Sequence, residues 1–381
     1  MALARLFFVL LLLLAALPAG AATPPAPGAL SVYFFDVGQG DAALIVSPTG
    51  KTVLIDGGPP EADERLVPRL RELVRGPLDL VILTHPHLDH LGGLVKILQE
   101  VGAKRFMDPG FDHPSESYRT LLEVVGREVG QVMVPTPNPS APEKPLTIGL
   151  GEGTTLTIFW PRHPLEDFLE RTRSDANSNS IVARLTYGKT AFLFTGDAEP
   201  ETEEHLLGRP LDFTSTVLKV AHHGGRHSST EPFLAAVRPQ AAVISCGRGN
   251  EYGHPTEETL QRLDAVGART FRTDQQGEVL AVSDGATVRL TPTRKGKPTV
   301  VTGQANPGPV GTAVPTASGA PRGAAPAPSS SEVRFVSLKG SKVFHREDCA
   351  TLARAKTKER TVYTRRADAT RERRPAKDCN P

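Results

Sequence analysis

Short apolar segments alternate with helix-like amphipathic segments along most of the chain, a pattern typical of layered α/β domains. Ser31–Phe35 and Ala42–Val46 are apolar runs joined by the glycine-containing turn Asp36-Val-Gly-Gln-Gly-Asp41, which predicts a hairpin. Further strands are predicted at Thr52–Ile55, Leu78–Leu83, Thr155–Phe159, Ser180–Leu185, Ala191–Thr195, Thr216–Val220 and Ala241–Ser245. Helices are predicted at Glu64–Val74, Glu199–Leu207, Pro232–Val237 and Thr256–Val266. Polar motifs follow several of these strands, so we expect the chemistry to lie on loops at a sheet edge.

The first residues have the pattern of an export signal. Arg5 precedes the apolar run Leu6–Leu17, and the small residues Ala19-Gly20-Ala21 fit a cleavage site. The run is shorter than the roughly 20 apolar residues of a spanning helix, so residues 1–21 favour a signal peptide over a membrane anchor. We therefore expect an exported protein, periplasmic or extracellular, without stable membrane insertion after cleavage.

The composition changes at Lys295. Residues 295–331 are rich in Gly, Pro, Ala, Ser and Thr and lack apolar periodicity, which predicts a disordered linker between a main domain at 30–294 and a small basic module at 332–381. Lys and Arg number 44 against 42 Asp and Glu, a formal charge of +2. This balance excludes a strongly basic coat protein for nucleic acid, but not an enzyme that acts on nucleic acid.

Four ligand-type side chains follow the predicted strand Leu78–Leu83. The segment His85-Pro-His87-Leu-Asp89-His90 holds three imidazoles and one carboxylate, a density that solvated surface loops rarely reach. Imidazole and carboxylate together suit divalent ions such as zinc. Asp197 and the pair His222-His223 follow two other predicted strands, so the sequence predicts a site for two metal ions, with Asp197 placed to bridge them.

Six motifs in this order make the chain similar to the metallo-β-lactamase superfamily. Within it, the chain resembles the branch that contains the C-terminal domain of the competence protein ComEC and its stand-alone relatives. The motifs are Asp36-Val-Gly-Gln-Gly-Asp41, Leu54-Ile-Asp-Gly-Gly58, Thr84-His-Pro-His-Leu-Asp-His90, Leu193-Phe-Thr-Gly-Asp-Ala198, Lys219-Val-Ala-His-His-Gly224 and Tyr252-Gly-His-Pro255. The resemblance runs from about Ser31 to Leu290. It implies an α/β fold, the αββα sandwich of two sheets with helices outside, and a dinuclear metal site at one edge.

The resemblance also assigns the metal ligands. It implies that His85 and His87 bind the first metal, that Asp89 and His90 bind the second, and that Asp197 bridges both.

The remaining positions of the metal site are less fully assigned by the resemblance. One of His222 and His223 supplies the last ligand, and Asp56 braces a ligand histidine from outside. The superfamily's usual histidine before the bridging aspartate is absent, and that stretch holds Asn177 and Asn179. An asparagine oxygen is therefore a possible ligand of the first metal, and Mn²⁺ is an alternative to Zn²⁺.

His254 precedes Pro255 and a predicted helix. A packing role and an active-site role are both open on the residues alone, and the resemblance favours the active site. There His254 would bind a phosphate oxygen or protonate a leaving group. Asp89 and His254 are therefore the two catalytic candidates.

A site for two divalent ions indicates a hydrolase, because such ions generate hydroxide and neutralise charge on the attacked group. The chain has no Gly-x-Gly-x-x-Gly motif that opens a helix after the first strand and no Gly-x-Ser-x-Gly elbow. The ComEC-like resemblance favours a phosphodiester substrate, which gives an exported, metal-dependent nuclease acting on DNA as the first hypothesis. The alternatives are a hydrolase of small esters, of the phosphocholine-ester or β-lactam type, and a non-catalytic protein that binds DNA or the cell envelope.

The small basic module carries His345, Cys349 and Cys379 in a pattern similar to a degenerate Ada-type zinc module. Ala376 stands where that module has another cysteine, which leaves one ligand too few for a closed tetrahedral site. A disulfide between Cys349 and Cys379 explains the same pair in an oxidising compartment, and we favour it over the metal. The basic residues of the module either contact a polyanion or form a solvated face.

Overall fold

The computed structural model describes residues 28–304, 335–338, 343–346, 360–363 and 374–375. The chain divides into two units, residues 1–312 and residues 313–381. The predicted signal peptide, residues 1–21, lies outside the described residues. Among the residues described, no helix combines the length and the apolar character that crossing a membrane requires.

The first unit consists of strands that form two sheets, together with short helices. Its strands are β1 (Leu30–Phe34), β2 (Ala43–Val46), β3 (Thr52–Ile55), β4 (Leu80–Ile82), β5 (Arg105–Met107), β6 (Gln131–Met133), β7 (Leu146–Gly149), β8 (Thr154–Trp160), β9 (Val182–Tyr187), β10 (Thr190–Phe194), β11 (Val217–Lys219), β12 (Ala241–Ile244), β13 (Arg269–Arg272), β14 (Val279–Ser283), β15 (Thr287–Pro292) and β16 (Thr299–Thr302). Its helices are α1 (Asp63–Leu73), α2 (Leu88–Leu91), α3 (Leu94–Glu100), α4 (Glu116–Glu128), α5 (Asp175–Ser178), α6 (Pro200–Leu207), α7 (Glu231–Val237), α8 (Glu257–Ala265) and α9 (Thr273–Gln276), with 3₁₀ turns at Pro60–Ala62 and Ala221–Gly224.

Side-chain alternation along the strands stacks the two sheets face to face. The nine-stranded sheet has the order β16-β15-β14-β1-β2-β3-β4-β5-β6, and the seven-stranded sheet has the order β13-β12-β11-β10-β9-β8-β7. Val32 and Phe34 of β1 point into the core between the sheets, where the Phe34 ring stacks on Phe194 of β10 with 6.1 Å between centroids. Their neighbours Tyr33 and Leu193 point the other way, each into a core on the outer face of its own sheet.

Helices cover both outer faces. Residues of α1, α3 and α4 pack on the nine-stranded sheet, and residues of α6, α7 and α8 pack on the seven-stranded sheet. The predicted αββα sandwich is therefore confirmed. Each predicted strand and helix has a counterpart whose ends lie within two residues of the prediction.

The end of the main domain differs from the prediction. Strand β16 lies inside the segment 295–331 that the composition assigned to a linker, and it pairs with β15 in an antiparallel register. Val301 is buried, and the amide side chain of Gln240 bonds to the backbone N–H and carbonyl of Thr302. The ordered domain therefore extends at least to residue 304, and the remainder of the predicted linker lies outside the described residues.

The second unit is described only as four strands. They are β17 (Phe335–Leu338), β18 (Val343–Arg346), β19 (Arg360–Tyr363) and β20 (Arg374–Pro375), in the sheet order β19-β17-β18-β20. His345 lies in β18, opposite Val336 of β17. Cys349 and Cys379 lie outside the described residues, so the choice between a disulfide and a metal stays a prediction.

The position of β16 leads to a test of the domain boundary. A protein of residues 28–304 should unfold cooperatively on heating, whereas one of residues 28–290 lacks β16 and the end of β15. Losing the burial of Val301 together with the strand pairing should lower the melting temperature by roughly 5–10 °C. Differential scanning calorimetry checks this, and equal melting temperatures for the two proteins would show that residues 295–304 do not belong to the folded domain.

Candidate metal centre

The candidate centre lies where parallel strands end. Within the nine-stranded sheet β3 and β4 are parallel, and within the seven-stranded sheet β10, β11 and β12 are parallel. The loops after these strands carry every residue that the sequence predicted as a histidine or aspartate ligand. Since parallel strands end at the same edge of a sheet, these loops meet there.

A buried carboxylate organises the histidine loop. Asp56 accepts hydrogen bonds from the backbone N–H of Thr84 at 2.7 Å and from its hydroxyl at 2.8 Å. The same carboxylate lies 2.9 Å from Nδ1 of His90, which leaves Nε2 of that ring for another partner. Asp56 has φ of 60°, in the left-handed region that aspartate tolerates better than most residues. The structure thus places Asp56 behind a histidine, where the resemblance puts it.

The close packing of two loops requires glycine at one position. In the turn Asp36–Asp41, Gly40 lies so close to the histidine loop that an added Cβ would meet the Asp89 carbonyl oxygen at 2.3 Å. The Asp41 N–H donates to the same carbonyl at 3.1 Å. This approach holds the Asp36–Asp41 turn directly against the predicted ligands.

Three groups of metal-ligand type share His90, and two of them contain only residues predicted as ligands. In the first, His85, His90 and Asp197 present ligand atoms that all lie within 4.8 Å of one another; in the second, Asp89, His90 and His223 do so. Nε2 of His223 lies 3.1 Å from Oδ2 of Asp89. His87 joins through the first group, with its Nδ1 3.1 Å from Nε2 of His85.

The carboxylate of Asp197 is the common point of the centre. Its Oδ1 lies 3.3 Å from Nε2 of His90, and its Oδ2 lies 3.7–3.8 Å from Nε2 of three other rings. Those rings belong to His85, His222 and His223. Among the described residues neither Asp197 Oδ1 nor His90 Nε2, both buried, makes a hydrogen bond of acceptable geometry. Buried polar atoms that converge without hydrogen bonds fit a site for cations.

The charges of the centre are strongly coupled. Burial lowers the pKa of His90, but the surrounding carboxylates, above all that of Asp197, raise it well above the usual range. Burial likewise opposes ionisation of Asp197, and His223 and His90 nevertheless hold its pKa well below the usual range. Protons on these imidazoles balance the carboxylates in the absence of metal. Metal binding would therefore release protons.

The consecutive histidines both turn toward Asp197 because their backbone is left-handed, with φ of 51° at His222 and 53° at His223. Nδ1 of His223 donates to the Ser245 carbonyl at 3.0 Å, and the ring is buried. Nδ1 of His222 lies 3.2 Å from Oε1 of Glu199, and this side chain is 29% exposed. Only His223 belongs to the groups of three ligands, so the geometry separates the roles of the two rings.

The two asparagines lie in different surroundings. Asn179 donates to the carbonyls of Leu169 and Asp175 and accepts from the Leu169 N–H, so its amide is used in holding a loop. Its expected role as a metal ligand is therefore not supported by its position. Asn177 is buried 3.5 Å from Glu199, with its Oδ1 lacking a hydrogen bond in the described part of the chain.

His254 lies at the open side of the centre. Its ring is 5.5 Å from that of His222 and 6.4 Å from that of His223, centroid to centroid. Burial and these two neighbours lower the pKa of His254 to about 4, so the ring is neutral at neutral pH. The exposed ring of Tyr252 stacks on it at 5.7 Å.

The sequence analysis assigned no role to three residues that lie beside the predicted ligands: Asp41, Lys219 and Glu199. Lys219 is buried and lies 2.7 Å from Asp41, whose other oxygen is 3.3 Å from Nδ1 of His223. Burial opposes ionisation of Asp41, yet Lys219 and His223 lower its pKa to about 2. Two features of the sequence could have indicated these roles. Lys219 is a charged residue at the end of a buried strand, and Glu199 is an acidic residue two positions after Asp197.

A second buried carboxylate holds the loop that follows His222 and His223 through hydrogen bonds. Glu203 of α6 is buried and accepts hydrogen bonds from the backbone N–H groups of Ser229 and Thr230 at 2.6 and 2.8 Å. Arg262 of α8 donates to the carbonyl of Ser229 from the other side. Burial raises the pKa of Glu203 to about 7 despite these bonds. The loop beside the candidate centre is thereby fixed between two helices.

Curated relatives carry the same region within longer proteins. The chain is 29% identical over 266 residues to ComE operon protein 3 of Bacillus subtilis, which covers 65% of this chain and 32% of that protein. It is 32% identical over 250 residues to Recombination protein 2 of Haemophilus influenzae, covering 64% of this chain and 28% of that protein. The match thus spans about a third of the length of these relatives.

Among solved structures, the metallo-β-lactamase fold protein YhfI from Bacillus subtilis aligns with a TM-score of 0.38 at 14% identity, covering 63% of this chain and 95% of that one. The family model described as the metallo-beta-lactamase superfamily matches residues 35–248, more than half of the chain. With the layers and the motif order described above, the chain belongs to the metallo-β-lactamase superfamily.

Proposed function

We propose that the protein is an exported, metal-dependent phosphodiesterase that cleaves nucleic acid with two divalent ions. One observation carries the proposal: four imidazole Nε2 atoms face the single carboxylate of Asp197 within 3.3–3.8 Å. For His90 and His223, a carboxylate or carbonyl oxygen lies beside Nδ1. Metal-binding histidines characteristically have this outer hydrogen bond, which fixes the ring and its tautomer.

The ligands divide between two positions. His85 and His87 would hold the first ion, Asp89, His90 and His223 would hold the second, and the Asp197 carboxylate would serve both positions. When bound, such ions supply a hydroxide at neutral pH and neutralise charge on the attacked and leaving oxygens. A donor set of imidazoles and carboxylates suits Zn²⁺ and Mn²⁺.

The side chains on the open face handle the substrate. Glu199 orients His222 through Nδ1, so that the Nε2 of this ring can carry a proton to the leaving oxygen. His254, being neutral and adjacent, donates a hydrogen bond to a non-bridging phosphate oxygen. Lys219 stabilises the ionised Asp41, which in turn holds the ring of His223.

DNA is the proposed polymer because the relatives include Recombination protein 2 of Haemophilus influenzae and a protein of Neisseria gonorrhoeae named Competence protein ComA, which is 31% identical over 258 residues. The chain matches only about a third of those proteins, so their activity is carried over as a proposal alone. Export rests on the sequence pattern of residues 1–21.

Cleavage of DNA is the direct test of the proposed function. Metal-free protein reloaded with Zn²⁺ or Mn²⁺ should degrade single- or double-stranded DNA on a gel and should release nitrophenol from bis(p-nitrophenyl) phosphate. EDTA should abolish both activities. A metal-loaded protein that cleaves neither substrate would contradict a phosphodiesterase, and rapid turnover of phosphocholine esters or β-lactams alone would replace it.

Asp197→Ala should remove both ions rather than one, because this carboxylate is the common point of the two positions. Metal content measured by mass spectrometry should fall at both positions, activity should drop by several orders of magnitude, and excess metal should fail to restore it. Glu203→Gln, which alters a neighbouring carboxylate that holds only a loop, is the matched control and should retain its metal. Loss of one equivalent only would show that Asp197 does not bridge.

Substitutions of the two consecutive histidines should have different effects on metal content and on turnover. His223→Ala should lower metal content, whereas His222→Ala should keep the metal and lower turnover of DNA by roughly 10²–10⁴-fold, the range for a missing proton donor. Bis(p-nitrophenyl) phosphate, whose leaving group departs without protonation, should be affected much less. An equal loss of turnover on both substrates would show that His222 does not transfer a proton to the leaving oxygen.

A further inference from the structure

A cleft outside the candidate metal centre is lined by arginines. This arginine cleft has a volume of about 350 Å³ and is lined by Asp36, Gly38, Arg65, Arg248, Asp274 and Arg294. It shares three lining residues with a larger cavity of about 540 Å³, which we call the apolar pocket. The shared residues are Asp36, Arg65 and Arg294. The two therefore form one continuous recess.

The recess adjoins the metal centre through two short pieces of chain. Asp36 and Gly38 belong to the turn that ends at Asp41, whose carboxylate lies 3.3 Å from His223. Arg248 follows Ser245, the carbonyl partner of the same ring, by three residues. Three fully extended residues span at most roughly 10–11 Å. A strand of a few nucleotides is long enough to reach from the metal centre into the recess.

The charges in the cleft are unbalanced. Arg294 pairs with Asp36 at 2.8 Å, and both carboxylate oxygens of Asp274 accept hydrogen bonds from Arg272. Arg248 donates only to the backbone carbonyl of Asp274, at 3.2 Å. Arg65 is exposed, and its side chain makes no hydrogen bond or ion pair within residues 28–304. Two guanidinium groups therefore lack a carboxylate partner in this part of the chain.

The chemistry of the recess indicates its occupant. Planar guanidinium groups match phosphate geometry and bind it in bidentate fashion. The adjoining pocket is lined by the largely buried apolar side chains of Phe35, Leu66 and Leu280 and by the Arg69–Glu278 ion pair. A polyanion without bases would use only the arginines of the cleft, whereas a nucleotide would use both the cleft and the pocket.

We propose that the recess binds one nucleotide of a single strand, with its phosphate on Arg65 and Arg248 and its base in the apolar pocket, while a nearby phosphodiester of the same strand lies at the metal centre. This rests on the proposed function and narrows its substrate to polymeric, single-stranded nucleic acid. A base enters such a pocket only when it is unpaired.

Binding without metal tests the cleft independently of cleavage. The full chain with Arg65→Ala and Arg248→Ala is compared with wild type for anisotropy of a fluorescent 12-nucleotide strand in EDTA at several salt concentrations. Losing two phosphate contacts should reduce the slope of log affinity against log salt by about 1.4, which is 0.7 for each contact. Arg119→Ala, an exposed arginine of α4 that pairs with Glu116, is the control and should leave the slope unchanged.

A slope that is unchanged in the double variant, or reduced equally in the Arg119→Ala control, would overturn the proposal. The base is tested separately with an abasic strand of equal length, which wild type should bind at least about 10-fold more weakly. Equal affinity for the two strands would show that the recess does not bind a base.

Cleavage assays separate this inference from the proposed function. The double variant, loaded with metal, should show a raised KM for the 12-nucleotide strand and an unchanged kcat/KM for bis(p-nitrophenyl) phosphate, which is too small to reach the recess. Equal losses on the two substrates would overturn the proposal. If wild type cleaves neither substrate, the phosphodiesterase proposal fails, and the metal-free binding experiments still decide whether the recess binds a strand.

Discussion

The candidate centre depends on the burial of one carboxylate among imidazoles. Asp197 is almost fully buried, and a buried carboxylate is tolerated only when positive charge or strong donors surround it. Here the surrounding groups are the Nε2 atoms of rings whose Nδ1 atoms are held from behind. Removing one partner therefore leaves both an unbalanced charge and a ring without orientation. The outer partners Asp56, Glu199 and Asp41 follow from this requirement.

The sandwich supplies the rigidity that these short contacts need. The candidate ligands come from both sheets: the histidine loop follows a strand of the nine-stranded sheet, and Asp197 and His223 follow strands of the seven-stranded sheet. The apolar core between the sheets fixes the relative position of the two ligand sets. A change in the spacing of the sheets would therefore alter distances across the centre.

The sequence allowed most of the fold to be predicted, because long apolar runs with charged motifs at their ends define strands well. It missed several strands, among them the mostly apolar β14 as well as shorter or more polar ones. Strands β5 and β13 each contain arginine, and β16 holds only two apolar residues between Pro298 and Gly303, so composition alone resembled a linker. Pairing with β15, which the sequence does not encode locally, makes this segment a strand.

The same limit applies to the centre. The histidines could be listed from motifs, since they cluster in His85–His90 and His222–His223, and Asp197 was recognised by its position after a strand. Asn179 was included because it precedes the bridging aspartate along the chain, but its amide hydrogen-bonds to the loop around Leu169. Glu199 and Lys219 were missed because their partners, His222 and Asp41, are distant in sequence and near only in space.

The left-handed backbone at His222 and His223 sets a trade-off between stability and activity. A residue with a Cβ in this conformation costs roughly 1–2 kcal/mol, and glycine removes most of that cost. Selection for folding alone would accordingly favour glycine at both positions, as it does at the following Gly224, which has φ of 81°. Two adjacent histidines held in this conformation thus represent stability given up for chemistry. A change to glycine at either position would therefore relieve backbone strain while removing an imidazole from the centre.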